Sequence, residues 1–298
     1  MMEGHLHLYL SPHLDDAILS CGGLIHAQRR AGGRVGVLAL CGGLPGRSPR
    51  SALALHYQSA WSERGDGMEL RLAENSAILS AWGVRDWGCD TPDAIYRAGD
   101  GAPYYQNRAE LFGEPHIEDA ASSWPVWEER VRCLAEGESS MILYAPLGVG
   151  GHVDHELARR LGERMGEAGR QVWFYEDYPY VELEADGVRA AQARFGSRGW
   201  TSRTVLIDVR AKIEALRGYH TQLGRLFGCD KDLVHRVKGF TAETASAVNR
   251  WELLRRVLAP SGRRLRLWRR LFGFHAHAER IWTWSFLAER RCKLRREG

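Results

Sequence analysis

The chain has 298 residues, 44% of them hydrophobic, and a net charge of +4, enough for one large α/β domain or two modest ones around a substantial core. No window approaches the roughly 20 apolar residues of a membrane-spanning helix. The opening MMEGHLHLYLSPH has no basic region leading into a long apolar run, so no secretory signal is expected. The six cysteines (Cys21, Cys41, Cys89, Cys133, Cys229, Cys292) are scattered and form no CxxC pair. That pattern fits reduced thiols in a cytoplasmic protein, not a disulfide framework or a thiolate zinc site.

His5 to Leu10 has the composition and length of a strand and stops at Ser11-Pro12, where proline disfavours both helix and continued pairing. Asp15 to Arg30 carries Ile18, Leu19, Leu24 and Ile25 near helical spacing, with two carboxylates at its start. Ala31-Gly32-Gly33 ends that helix, and Val35 to Leu40 is a second short apolar run. Strand, helix and strand within about forty residues form a βαβ unit, which implies a parallel sheet covered on both faces. Downstream, Leu70 to Trp82 and Val126 to Ala135 read as helices, Met141 to Ala145 as a strand, and His155 to Gly166 as a helix. Val172 to Tyr175 and Val205 to Val209 are late strands, the second feeding a helix from Lys212 to about Phe227. This alternation predicts a doubly wound, mainly parallel α/β sheet with helices on both faces. Residues 84–125, rich in Gly, Pro, Tyr and Trp, read as a long irregular insertion of the kind that covers active sites.

From Arg263 onward, eleven Lys or Arg face three Glu, a local balance of +8 that leaves about −4 for the rest. Basic runs attract phosphate, nucleic acid or membrane surfaces. The plainer reading is preferred: an amphipathic segment, 263–298, packed through Trp268, Trp282 and Trp284 on the domain formed by 1–262. Weak contact with an anionic surface stays open, nucleic acid is not expected, and a homo-oligomer stays open.

The chemistry concentrates in SPHLDD (11–16) and GHVDH (151–155). Each follows a predicted strand, and ligands bind at the carboxyl ends of strands in open parallel sheets. Histidine nitrogens and carboxylate oxygens together suit Zn²⁺ with a position left for water, although Fe²⁺ occupies similar N/O sites. Taken singly, Asp15 and Asp16 fit helix caps, and His152 and His155 fit surface positions one turn apart. Two such groups, each placed after a strand, point to one metal site.

SPHLDDAILSCGG resembles the first motif of the PIG-L/LmbE-like zinc deacetylases, usually His-Pro-Asp-Asp-Glu, and GHVDH resembles their second, His-Pro-Asp-His. Arg71 with Glu74, VWFYEDYPY (172–180), the stretch from Lys212 to Leu223 and Glu279-Arg280-Ile281-Trp282 also resemble the family. The resemblance implies a Rossmann-like hydrolase that deacetylates amino sugars or their conjugates. It implies His13, Asp16 and His155 as zinc ligands, Asp15 as general base and His152 as the residue serving the oxyanion or acting as acid. Asp154 is the natural carboxylate to orient one histidine. Leu14, Ala17 and Val153 depart from the family pattern without removing a ligand or the base. Gly150 stands where some members carry a tyrosine; either a tyrosine from elsewhere substitutes, with Tyr96, Tyr175 and Tyr178 as candidates, or His152 acts alone. Arg71, Tyr96 and Arg97 are the expected substrate contacts, each weighed evenly against a structural role. The expected activity is zinc-dependent removal of an acyl group, most simply acetyl, from an amino-sugar nitrogen. The rival readings are a metal-dependent hydrolase of a non-sugar amide or ester, and a non-catalytic binding module of the same fold.

Overall fold

Leu6–Ser11 is buried along its whole length, as a strand must be when both faces of its sheet are covered. The computed structural model describes residues 4–284 other than 48, 63–64, 137, 139, 197–198 and 247–275. The first half runs β1 (Leu6–Ser11), α1 (Asp16–Arg30), β2 (Arg34–Ala39), α2 (Ala52–Trp61), α3 (Gly67–Ala81) and β3 (Arg85–Gly88). A 3₁₀ turn (Ala94–Tyr96) then leads to the short pair β4 (Ala98–Gly99) and β5 (Ala102–Pro103), α4 (Arg108–Leu111) and α5 (Ile117–Glu136). The second half runs β6 (Met141–Pro146), α6 (Val153–Glu167), β7 (Gln171–Tyr175), α7 (Tyr180–Leu183), α8 (Gly187–Ala193) and β8 (Trp200–Leu206). It continues through α9 (Val209–Arg217), α10 (His220–Phe227), α11 (Asp230–Ser246) and β9 (Ala278–Trp284).

The main sheet has the order β3-β2-β1-β6-β7-β9-β8. The first five strands pair in parallel, whereas β9 runs antiparallel to both neighbours. From β1 the chain winds outward through β2 and β3, and from β6 it winds the other way through β7. The reversal lies between β1 and β6, so the two loops carrying the motifs open on one crevice, as expected at a topological switch point. No helix among the described residues is long and apolar enough to cross a membrane.

Three local expectations change. Residues 84–125 are not one irregular insertion: they begin with the edge strand β3 and end inside α5. Helix α5 runs through Pro125 because Trp127 and Val131, both fully buried, anchor it to the core. The helix expected over Lys212–Phe227 is broken at Gly218-Tyr219. A Cβ on Gly218 would lie 2.8 Å from Ile78, and the Tyr219 hydroxyl donates to Asn75 Oδ1 at 2.9 Å. Of the basic segment 263–298, residues 276–284 are described, and β9 within it belongs to the same sheet as β7 and β8. Trp268 and the basic run around it lie outside the described residues.

Strand β9 is tied to the helix that starts at the first motif. Glu279 accepts from the backbone N–H groups of Gly23 (3.0 Å) and Leu24 (2.7 Å) in α1, and from Lys212 Nζ of α9 at 2.6 Å. Both side chains are buried. Breaking a buried ion pair from one side leaves an uncompensated charge, so Lys212→Met should lower stability by about 3–5 kcal/mol. Lys212→Met/Glu279→Gln should recover much of that loss. Urea unfolding midpoints check both, and a single variant as stable as wild type would refute the role.

Candidate metal centre and active site

The first motif is set by the end of β1. Ser11 Oγ donates to the His13 carbonyl and accepts from Ala17 N at 2.9 Å, which folds residues 11–17 into a fixed turn. Asp16 Oδ2 accepts from His13 N at 2.8 Å. Asp15 occupies the N-cap position of α1, yet its side chain makes no capping hydrogen bond. Instead its Oδ1 accepts from Arg71 Nη2 at 3.2 Å, and both groups line a cavity. The capping explanation of Asp15 therefore does not describe its carboxylate.

The second motif follows β6 through a turn with Gly148, Gly150 and Gly151 in the left-handed region, at φ of 81°, 89° and 71°. Such φ values carry little steric cost only without a Cβ. The turn delivers His152 to the N-cap of α6 and His155 to its first turn. One carboxylate oxygen, Asp16 Oδ2, then lies 3.1 Å from His13 Nδ1 and 3.2 Å from His155 Nε2.

The donors of His13, Asp16 and His155 fall within 4.8 Å of one another. His155 Nε2 is buried and has no hydrogen-bond partner among the described residues. The remaining ring nitrogens are anchored: His13 Nε2 to Asp154 Oδ2 at 3.0 Å, and His155 Nδ1 to Asp177 Oδ1 at 2.7 Å. A divalent cation wants this arrangement, with two imidazole nitrogens and a carboxylate facing one point and outer carboxylates fixing each ring. A second trio, His13, His152 and Asp154, is equally compact. It fits a cation less well, because Asp154 is already occupied by Arg97, Ala94 N and His13.

The electrostatics follow from burial and crowding. Burial alone would discourage charge on His13, but Asp93, Asp154 and Asp16 outweigh it and raise its pKa well above the usual imidazole value. Burial opposes ionisation of Asp16 too, yet His155 and His13 hold its carboxyl well below the usual range. Burial raises Asp15, with Arg71 pulling it back and neighbouring Asp16 pushing it further up.

A model of the PIG-L family, described as GlcNAc-PI de-N-acetylase, matches residues 8–165, which contain both motifs and every residue of the cluster. The chain belongs to the PIG-L family. It is 29% identical over 236 residues to the 2'-N-acetylparomamine deacetylase of Niallia circulans, covering 74% of this chain and 82% of that one. Identity to the protein of the same name from Streptomyces fradiae is 27% over 233 residues, 72% of each chain. Among solved structures, the zinc-inhibited form of teicoplanin deacetylase Orf2 superposes with a TM-score of 0.72 at 19% identity, over 95% of this chain and all of that one. The A40926 pseudoaglycone deacetylase Dbv21 gives 0.66 at 21% identity, over 95% and 98%. At such identities these two likenesses establish the Rossmann-like α/β fold.

Within this PIG-L fold the other expected residues separate. Arg71 lies over the Trp61 ring at 4.4 Å, and Glu74 is not its partner but accepts from Thr221 N and Oγ1 at the start of α10. With its amide oxygen turned toward Arg71, Gln222 accepts from Arg71 Nε at 3.1 Å and Trp61 Nε1 at 3.2 Å. Arg71 thus reaches the cavity chiefly as the holder of Asp15. Arg97 was expected against substrate, but its guanidinium is buried and taken up by Asp119 and Asp154. Tyr96 is buried behind Trp61, edge to face at 6.5 Å, and does not form part of the described cavity wall.

The three tyrosines expected to compensate for Gly150 are also elsewhere. Tyr175 donates to the Leu10 carbonyl at 2.7 Å, and the Tyr96 and Tyr178 hydroxyls are buried away from the cavity. The ring over Gly150 is Tyr180: a Cβ at 150 would fall 2.6 Å from its Cγ. Tyr180 lines the cavity and packs edge to face on His155 at 5.4 Å. Asp93 and Asp177 stand outside both motifs yet belong to the site. Asp93 Oδ2 faces the cavity 3.6 Å from His13 Nε2 and 3.7 Å from Arg71 Nη1. Asp177 follows β7 directly, so the strand-end rule that singled out His13 could have found it.

Proposed function

We propose that this chain is a Zn²⁺-dependent N-deacetylase that hydrolyses the acetamide of an amino sugar in a small glycoside. The observation that carries the reading is the His13, Asp16 and His155 cluster beside Asp15, whose carboxylate faces the same cavity. A zinc ion at such a site supplies Lewis acidity and hydroxide at neutral pH. Asp15, held by Arg71, accepts the proton of the attacking water as its oxygen adds to the amide carbon. His152 Nε2–H donates to the carbonyl oxygen as negative charge gathers there. When the C–N bond breaks, Asp15 returns the proton to the departing nitrogen, leaving acetate and a free amine. Tyr57, Trp61 and Phe112 give the cavity flat apolar walls, and Asp93 offers a carboxylate to sugar hydroxyls. The amino-sugar substrate is favoured because both curated relatives are 2'-N-acetylparomamine deacetylases. Cys21, Cys41, Cys89, Cys133 and Cys229 are free thiols, which supports a reducing, cytoplasmic setting.

Acetate release from N-acetylated aminoglycosides and N-acetylglucosamine conjugates, compared with aromatic amides, peptide amides and esters, tests the substrate class. Activity should disappear on chelation and return with Zn²⁺, with Fe²⁺ as the parallel arm. Preferential cleavage of non-sugar substrates would favour the rival hydrolase. Metal binding without turnover of any of them would favour a binding module.

A further inference from the structure

The buried ion pairs behind His13 run from Asp154 of the second motif to Arg97 and Asp119, which lie outside both motifs. Asp154 is fully buried and uses both oxygens: Oδ2 faces His13 Nε2 at 3.0 Å and accepts from Ala94 N at 3.1 Å, while Oδ1 accepts from Arg97 Nη2 at 2.5 Å. Arg97 in turn forms a two-pronged bond with Asp119, Nε to Oδ1 at 2.6 Å and Nη2 to Oδ2 at 2.8 Å. Tyr105 donates to the same Asp119 at 2.7 Å, and Arg97 Nη1 donates to the Pro92 carbonyl at 3.0 Å. The residues from Pro92 to Asp119 therefore do more than lend Asp93, Ile95, Leu111 and Phe112 to the cavity wall. They grip the back of His13 through one guanidinium.

We propose that Arg97 is a positioning residue for the metal site, acting through Asp154 to fix the tautomer and direction of the His13 ring. The inference rests on the metal reading of the His13, Asp16 and His155 cluster. A planar guanidinium joins two carboxylates at fixed angles, which an ammonium does not do. With Asp154 Oδ2 held toward Nε2, the His13 proton stays on Nε2 and the Nδ1 lone pair faces Asp16 and His155. Without Arg97, Asp154 is free to rotate, and the ring loses its preference for one tautomer. Outer partners of this kind are worth about 10- to 100-fold in metal affinity.

The test uses the full chain with Arg97→Lys, Arg97→Met and Arg97→Met/Asp119→Asn. The double variant removes the Asp119 charge together with that of Arg97, so a fold lost to an unpaired Asp119 is distinguished from a loosened site. Zn²⁺ affinity, read by competition with a chromogenic chelator, should fall about 10- to 100-fold in each folded variant. In metal-free protein, at a pH high enough to leave the His13 ring neutral, imidazole ¹⁵N shifts should show its proton on Nε2 in wild type and a tautomer mixture in the variants. A purely structural role would lower the melting temperature and leave those shifts unchanged. At saturating Zn²⁺, KM for an N-acetylated amino sugar should keep its wild-type value, whereas a direct sugar contact by Arg97 would raise it. Wild-type Zn²⁺ affinity together with wild-type His13 shifts in the folded double variant would overturn the proposal. A wild-type chain that takes up no Zn²⁺ would overturn the metal reading beneath it.

Discussion

Asp15→Asn is expected to lower kcat about 10²- to 10⁴-fold, the range of a lost general base, while Zn²⁺ binds as in wild type. The substitution keeps the shape of the side chain and an oxygen for Arg71, but the amide cannot take a proton from water. Asp16, one residue on, turns the other way, toward His13 and His155, so the ligand set is untouched. The pH profile provides a second readout. Burial and the nearby Asp16 raise the Asp15 pKa despite the opposing pull of Arg71. The active form is the carboxylate, so kcat/KM should fall as pH drops through that raised value, earlier than for an ordinary aspartate. That acidic limb should be absent from the residual activity of Asp15→Asn. Full kcat in a zinc-loaded Asp15→Asn enzyme would remove Asp15 from the base role.

What the sequence revealed and what it hid follow from the range of the interactions. The β1–α1–β2 unit was legible because HLHLYL, Pro12 and Ala31-Gly32-Gly33 carry local signals that need no distant partner. The meeting of His13 with His155 was legible one step later, since both follow strands that turn out to flank the switch between β1 and β6. Strand β9 was not read as a strand, because the pairing that defines it is with β7 and β8, far back in the chain. The structural surroundings of Arg97 are hidden from the sequence for a related reason. An arginine in a Gly- and Tyr-rich segment suggests a flexible contact, and only tertiary structure brings Asp119 and Asp154 to its two edges. Tyr180 was missed because the space it fills is defined by the absent side chain of Gly150, 30 positions earlier.

His152→Asn is expected to lower kcat about 10²- to 10³-fold, the magnitude of a lost oxyanion donor, with little change in KM. The geometry determines which proton His152 offers. Its Nδ1 accepts from Asp154 N at 3.2 Å in the N-cap of α6, so the ring proton stands on Nε2. Burial, and the neighbouring His13 and His155, hold its pKa well below the usual imidazole value against the weaker pull of Asp154 and Asp16. His152 therefore works as a neutral hydrogen-bond donor, and proton delivery to the leaving nitrogen falls to Asp15. Asparagine is chosen because it caps helices well, whereas alanine would add roughly 1 kcal/mol of lost capping to the result. Metal content and melting temperature should stay near wild type. A neutral donor makes the wild-type to variant ratio of kcat constant across the pH range in which an ordinary histidine titrates. A ratio that shrinks as pH rises through that range would mean that imidazolium is the working form, and the division of labour between Asp15 and His152 would have to be reversed.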